Sequence, residues 1–495
     1  MDSATLATIV LLGGFAVLIF LRIPVTFSLL ISTIAAALIR DVKLTALVSQ
    51  TIAGVNNFTL LAIPFFILMG EIMGAGGISD KIIDLANLIV GRFRGGLAYV
   101  NCLSSMFFGG ISGSAVADVS SLGTVVVPMM KKQGYPAEFS VGLTVTTACQ
   151  GVLIPPSHNM VIYTLAAGGL AVGAFRGHDA TVAAMFMAGV VPGILLGLAL
   201  IIYSAVMAGP LHFPRGIVIG EHDKVRWIKF VKSDKKFGWT SNSAPSNGSS
   251  LTGMGSGSWG ILHLPFCSLE LGQCVKVIVH AILPMFTFII ILGGVTAGIF
   301  TATESAAIAC VYTFIITYFV FRSAKLRDIG KVLKNCLKTL CVVMTLLACA
   351  KAFAFMMTDL RIPSKITTAL ISVSHNKIVL LLIINLLLLV LGCFMDMAPL
   401  IMIMTPILVP VVTSDVIGMS PVQFGVMLIF NLAVGLCTPP VGTALFLGCA
   451  IGKTSLERTS VKMLGMFTVM VIALLLITFV PAFSMWLPQL TGTLS

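Results

Sequence analysis

At 495 residues, 58% hydrophobic and only 10% charged, with a mean hydropathy of +1.07, the chain is far from the composition of soluble domains, about 25% of whose residues are charged. Its formal net charge of +12 would suit nucleic acid if the cations formed one patch, but they collect in two connecting segments, 210–276 and 322–338. Such segments mark the cytoplasmic side of a membrane protein and favour anionic membrane lipid, so nucleic acid is excluded as a partner.

Apolar stretches recur along the whole chain, and about 20 apolar residues suffice to cross a bilayer. The first, 6–21, follows Met1-Asp2 with no basic flank before it and no small-residue cleavage site after it, which predicts a membrane helix, not a signal peptide. Stretch 24–39 is short enough to be re-entrant or strongly paired, and 61–73 and 183–207 follow. Residues 211–273 are polar and basic, and 241–260 (SNSAPSNGSSLTGMGSGSWG) is rich in Gly and Ser. This predicts a long flexible cytoplasmic loop, 209–275, between a first membrane half, 1–208, and a second, 276–495. Beyond the loop lie 277–300, 306–321, 378–394, 424–436 and 464–479. The spans 277–300 and 306–321 connect the two basic segments and return the chain to the side it left.

The eleven cysteines lie mostly in apolar stretches without a CxxC pair, so they read as packing residues, with neither disulfides nor metal ligation expected. Histidines at 158, 178, 212, 222, 263, 280 and 375 are scattered, with no HExxH or similar pattern, which argues against an enzyme.

One ordered string occurs twice. Val127-Pro128, then Pro136-Ala137-Glu138-Phe139, then Pro155-Pro156 in the first half matches Val409-Pro410, then Pro421-Val422-Gln423-Phe424, then Pro439-Pro440 in the second, with similar spacing. A proline pair removes backbone donors and clashes with the preceding turn, so each pair predicts a broken helix, about 138–172 and about 421–451. Each copy follows a short apolar segment interrupted by small and polar residues. These are FFGGISGSAVADVSSLGTVVVP at 107–128 and LGCFMDMAPLIMIMTPILVP at 391–410. Arms this short predict re-entrant helical hairpins, about 96–130 and about 380–412. Lipid cannot satisfy freed backbone groups, so such breaks survive only inside protein or beside a watery cavity. Paired interruptions in two halves point to the binding site of a secondary transporter, where freed carbonyls attract Na⁺ and half-helix N-termini attract anions. The expected fold is therefore an all-α polytopic membrane protein of two inverted repeats with re-entrant hairpins and discontinuous helices.

NNFTLLAIPFFILMGEIM (56–73), GGISGSAVAD (109–118), LIPPSHN (153–159), GGVTAGIFTATESAA (293–307), MDMAPLIMIMTPILVPVV (395–412) and NLAVGLCTPPVGTALF (431–446) resemble, in one collinear order, the large membrane subunit of tripartite ATP-independent periplasmic (TRAP) transporters. LIPPSHN followed by LAAGG, with RIPSKITTA at 361–369, is most similar to the branch that imports sialic acid. The resemblance implies an elevator-type importer of the bacterial inner membrane, driven by Na⁺. It implies two partners, a periplasmic substrate-binding protein and a small membrane subunit, the latter expected as a separate chain. Uronates and C4-dicarboxylates carry the same carboxylate as sialic acid. The nearest rival class is a divalent-anion-type Na⁺/carboxylate symporter that needs no binding protein. Two features depart from the family: the length of 211–273 and the polar insertion RGHDAT at 176–181.

By the same resemblance, one Na⁺ site takes the first hairpin tip (Ser112, Gly113, Ser114) with carbonyls around Gly151 and Ile154–Pro156. The other takes Asp396 with Gly435 and Thr438. Carbonyl and hydroxyl oxygens are hard ligands suited to Na⁺. Candidates for the substrate's carboxylate and hydroxyl oxygens are Ser114, Thr146, Ser157, Asn159, Thr438 and Thr443, with Arg361 as the cation able to pair with a carboxylate through two bonds. Asp118 and Asp396 are the acids nearest the breaks, each either functional or capping a half-helix. Glu71 and Glu304 read as capping or inter-helix hydrogen-bonding residues, and His158 as structural rather than proton-coupling.

Overall fold

The computed structural model describes residues 2–21, 23–91, 93–211, 213, 238–240, 261–264, 267–440 and 442–494; the Gly/Ser-rich stretch 241–260 lies outside them. Among the described residues, seven helices are long and apolar enough to cross a membrane: Ser3–Phe20, Phe58–Ala75, Val182–Met207, Val277–Thr296, Ala302–Val320, Leu326–Asp359 and Leu456–Phe479. The pair Ala137–Leu153 and His158–Ala167, bent by 50°, makes an eighth if counted as one span. The chain is an all-α polytopic membrane protein. Within 209–275, read from sequence as loop, the described residues form three short strands, Gly238–Thr240, Ile261–Leu264 and Cys267–Glu270, paired antiparallel in that order.

Helix starts follow local chemistry. Thr181 opens Val182–Met207 by accepting the Ala184 N–H at 3.1 Å, and Asn376 opens Lys377–Gly392 by accepting the Ile378 N–H at 2.9 Å. Ahead of Ala302–Ile315, Thr301 and Glu304 form a reciprocal capping box: the Thr301 N–H donates to Glu304 Oε2 at 2.8 Å and the Glu304 N–H to Thr301 Oγ1 at 3.3 Å. Glu304 is thus a capping residue.

The hairpins take their form from length. The first has arms Gly96–Ser112 and Ala115–Lys132, and the second Lys377–Gly392 and Met397–Val412. Arms of 16 to 18 residues are about 24–27 Å long at 1.5 Å per residue, short of a ~30 Å hydrocarbon core. Each hairpin therefore turns inside the protein.

The two breaks are built alike. Gln150–Leu153 ends before an extended Ile154, and His158–Ala167 begins after an extended Ser157. Pro421–Leu436 likewise ends before Thr438, and Thr443–Gly452 resumes after the second proline pair. Both proline–proline peptides are cis.

Packing exchanges the halves. Each inbound arm lies on the broken helix of its own half, Gly96–Ser112 on Ala137–Ala148 and Lys377–Gly392 on Pro421–Leu436. Each outbound arm also packs on the far segment of the other half: Ala115–Lys132 on Thr443–Gly452, and Met397–Val412 on His158–Ala167. At the centre, Cys149 and Cys437 bring their Sγ atoms to 3.1 Å, and their thiols point at the carbonyls of Ala433 and Val145 respectively. A membrane-permeant two-electron thiol oxidant is expected to join them as a disulfide, since the sulfurs need to close by only about 1 Å. Peptide mass spectrometry would detect the cross-link, and its absence in wild-type protein oxidised this way would argue against the crossing of the two broken helices.

Around this group stands an outer set of helices. Ser3–Phe20 packs on Val25–Ile39, which packs on Ile329–Asp359, and Ala62–Ala75 packs on both Ala302–Ile315 and Ile329–Asp359.

Candidate functional site

Each hairpin meets its broken helix at a glycine pair. A Cβ built on Gly109 would lie 2.5 Å from Gly151 Cα, and one on Gly435 would lie 2.6 Å from the Gly392 carbonyl carbon. Gly151 and Gly435 stand four residues before their proline pairs in both halves, so in each half backbone touches backbone just below the break. Hydrogen bonds hold the register behind them. Asn101 Nδ2 donates to Thr144 Oγ1 at 2.7 Å in the first half. In the second, Asn431 Nδ2 donates to Asn385 Oδ1 at 2.9 Å, and Asn385 Nδ2 donates to Thr478 Oγ1 at 3.3 Å.

The first hairpin tip is a left-handed turn at Gly113, φ +62°, and a side chain there would collide with the Pro156 carbonyl oxygen. Ser112 Oγ accepts from the Ser114 N–H at 3.4 Å, and Ser114 Oγ accepts from the Ala117 N–H at 3.4 Å, which caps the outbound arm. Ser112, Gly113, Ser114 and Pro156 are thereby brought together, with Ile154 buried beside them under Gly193 of Val182–Met207. That helix also seats Gly189 on the Leu153 carbonyl, which is why the first break is buried throughout. The second break is open: Thr438 is half-buried, and Pro439, Pro440 and Thr443 are exposed. Asp396 occupies the N-cap position of the second outbound arm without a side-chain capping bond.

Both tips converge on one cavity of about 1130 Å³. Ser112, Ser114, Ser120 and Ser121 line it from the first hairpin, His158 and Asn159 from beyond the first break, and Asp396 to Ala398 from the second tip. The opposite wall comes from the outer helices. It carries Glu71, with Asn335 as its neighbour, together with Lys325, Asp328 and Lys331. Asn159 Nδ2 reaches Met397 Sδ at 4.0 Å and so links the first break to the second tip.

Several sequence candidates fall elsewhere. Thr146 is fully buried in the broken helix, donating to the carbonyls of Gly142 at 2.9 Å and Leu143 at 3.0 Å, because its face of the helix points at Met466. Ser157 is buried with no partner for its hydroxyl and does not line the cavity. Thr438 Oγ1 donates back to the Val434 carbonyl at 2.8 Å. Arg361 is exposed at a left-handed corner, φ +52°, between Ile329–Asp359 and Ile362–Val373, outside the cavity. The cations that do line it are Lys325 and Lys331, from the segment read as a topology signal and a contact for anionic lipid. A signal existed: Asp328, Lys331, Asn335, Thr339 and Val342 recur every three or four residues, one face of a helix.

The chain matches the family described as "Tripartite ATP-independent periplasmic transporter, DctM component" over residues 12–483. It is 37% identical to the uncharacterized protein YgiK of Salmonella typhimurium, covering 97% of both chains. It is 31% identical to the C4-dicarboxylate TRAP transporter large permease protein DctM of Rhodobacter capsulatus, covering 98% of this chain and all of that one. It is also 31% identical to the sialic acid TRAP transporter large permease protein SiaM of Vibrio cholerae, covering 96% of this chain and 97% of that one. A family match across nearly the whole chain, with paired hairpins and broken helices closing on one cavity, makes this protein a member of the DctM family, the large permease component of TRAP transporters.

Proposed function

We propose that this permease imports a carboxylate-bearing organic anion across the bacterial inner membrane, driven by a Na⁺ gradient, by elevator-like movement of the hairpin and broken-helix group against the outer helices. The observation that carries the reading is the single cavity between these two groups, bounded by both hairpin tips and by Lys325 and Lys331. Hydroxyl, amide and carboxylate side chains on the moving side suit a hydroxylated anion together with a hard cation. The two lysines supply positive potential where such an anion leaves or enters. On the positive-inside reading, the cavity reaches the cytoplasmic segment 323–331, which corresponds to an inward-facing state.

Ser112, Gly113, Ser114, Gly151, Ile154 and Pro156 are the proposed Na⁺ region of the first half, and Asp396, Gly435 and Thr438 that of the second. Ser114 and Asn159 are the proposed substrate contacts, with His158 beside them. As in other TRAP systems, a small membrane subunit and a periplasmic binding protein complete the transporter. Family membership favours this over the symporter class that works without a binding protein. Relatives named for C4-dicarboxylates and for sialic acid share the carboxylate, and the motif LIPPSHN makes sialic acid the first substrate to test.

The test is uptake into proteoliposomes containing both membrane subunits. Uptake is expected only with ligand-saturated binding protein and an inward Na⁺ gradient, and replacing external Na⁺ with K⁺ is expected to stop it. An unchanged rate in K⁺ would refute the coupling ion, and uptake without binding protein would refute the delivery step.

A further inference from the structure

A second cavity, of about 560 Å³, borders the transport cavity at Ala75 and Ser323, where Ala302–Val320 runs into the basic segment 322–338. On the positive-inside reading this is the cytoplasmic edge of the bilayer. The helix Ile78–Val90 presents Asp80, Lys81 and Asp84 to the cavity, and across it stand His280 of Val277–Thr296 with Val320 and Phe321. A π-helical turn, Ile316–Val320, delivers Phe321, a distortion frequent at functional sites. Asp80 and Asp84, four residues apart, share one helix face, where like charges repel. Asp84 is 9% exposed and makes no hydrogen bond or ion pair among the described residues. Lys81 does not pair with either acid; its Nζ sits 4.0 Å from the centre of the Phe321 ring, a cation–π contact, and His280 stacks on the same ring. A buried carboxylate facing an open cavity without a partner calls for a cation that the chain does not supply.

The surroundings define that cation. Among the described residues no group of three or more His, Cys, Asp or Glu side chains is arranged to hold a metal ion. Two carboxylates against one lysine leave the cavity with one net negative charge when His280 is neutral, so it disfavours an anionic headgroup and attracts an ammonium. Burial, with repulsion from Asp80 added, pushes the Asp84 carboxyl up to about 7, and a bound ammonium would hold it ionised. A primary ammonium donates three hydrogen bonds, which the carboxylates accept, whereas a quaternary ammonium donates none. The mouth is apolar. Val320 lines it and is 55% exposed, and Phe319 next to it is 57% exposed, a setting for acyl chains.

We propose that this cavity binds the headgroup of an ethanolamine phospholipid, with its ammonium at Asp80 and Asp84 and its phosphate at Lys81 and His280. The binding goes beyond the transport reading and does not depend on it. Its place gives it a consequence that does. The cavity touches Gly76 and Gly77, the latter left-handed at φ +60°, where Ala62–Ala75 of the outer set joins Ile78–Val90. Ile78–Val90 packs in turn on the inbound arm Gly96–Ser112, so a headgroup there braces the joint between the outer helices and the first hairpin.

The test is thermal unfolding of the full chain with its small subunit in nanodiscs, without substrate or a Na⁺ gradient, as phosphatidylethanolamine replaces phosphatidylcholine up to an equal mixture. Wild-type protein is expected to gain stability along the series. Asp84→Asn, which keeps the shape and removes the charge, is expected to need about tenfold more phosphatidylethanolamine or to show no gain, the effect of losing one hydrogen bond to a charged group. If that variant does not fold, Asp80→Asn carries the test, with the same direction expected. Free phosphoethanolamine added to phosphatidylcholine nanodiscs separates the sources: no gain is expected, and a full gain would overturn the lipid as the ligand. A wild type that does not respond to phosphatidylethanolamine, one stabilised more by phosphatidylglycerol, or variants that respond like wild type would each overturn the site. Failure of Na⁺-driven uptake would count against the transport reading alone.

Discussion

Asp396→Ala is expected to abolish Na⁺-driven uptake while leaving the protein inserted and folded. Asp396 stands at the N-cap position of Met397–Val412, makes no capping bond with its side chain, and borders the cavity. The side chain's backbone partner is the adjacent Met397 N–H and not a cap deeper in the first turn, so its removal should cost little stability. A carboxylate at a hairpin tip within the membrane is expensive and is retained for a purpose, here the proposed second cation region. The expected loss of initial uptake rate is at least tenfold, about 1.4 kcal/mol of coupling, read in proteoliposomes with equal amounts of folded variant and wild type. Wild-type uptake by the variant would remove Asp396 from the site.

Gly435→Ala is expected to damage the protein by a different route. A methyl group there would sit 2.6 Å from the backbone of Gly392, and the atoms in its way are main chain of a packed helix that cannot swing aside. Overpacking of this kind costs about 1–3 kcal/mol, and here it would push the second hairpin off its broken helix. Equilibrium unfolding in mixed micelles should show a loss at the upper end of that range, together with reduced uptake. Gly330→Ala is the control, because no atom lies within 4 Å of a Cβ at that position. If the two variants were equally stable, the close crossing of the inbound arm and the broken helix would be wrong.

How much was legible beforehand differs from residue to residue. The proline pairs predicted breaks because proline cannot continue a helix, and the helices do end at Leu153 and Leu436. Ser114 was picked out at the first hairpin tip and Asn159 just beyond the first proline pair, and both line the cavity. Thr146 was picked out on similar grounds but faces Met466, because which face of a helix looks inward depends on its rotation against neighbours far away in sequence. Arg361 illustrates the same limit. Guanidinium chemistry suits a carboxylate, but Arg361 sits at a corner outside the cavity, while Lys325, just ahead of the helix, and Lys331, in its first turn, line the other wall. Gly151 and Gly435 were assigned as ion-site backbone; they also pack against glycines of the inbound arms, a duty visible only once both helices of the crossing are placed.

Sequence alone determined the membrane class, the two interrupted halves and the family, because these depend on local composition and on backbone chemistry that proline, glycine and apolar runs impose wherever they occur. Tertiary structure decided which oxygens meet. The outbound arm of each hairpin packs on the other half's broken helix, so residues such as Asn159 and Met397, 238 positions apart, come to share a wall. In the linear chain Asp118 stood out with Asp396 as an acid near the breaks, either functional or capping. Only packing shows that its cap role is filled by Ser114 and that its carboxylate is buried beside the Ser105 hydroxyl.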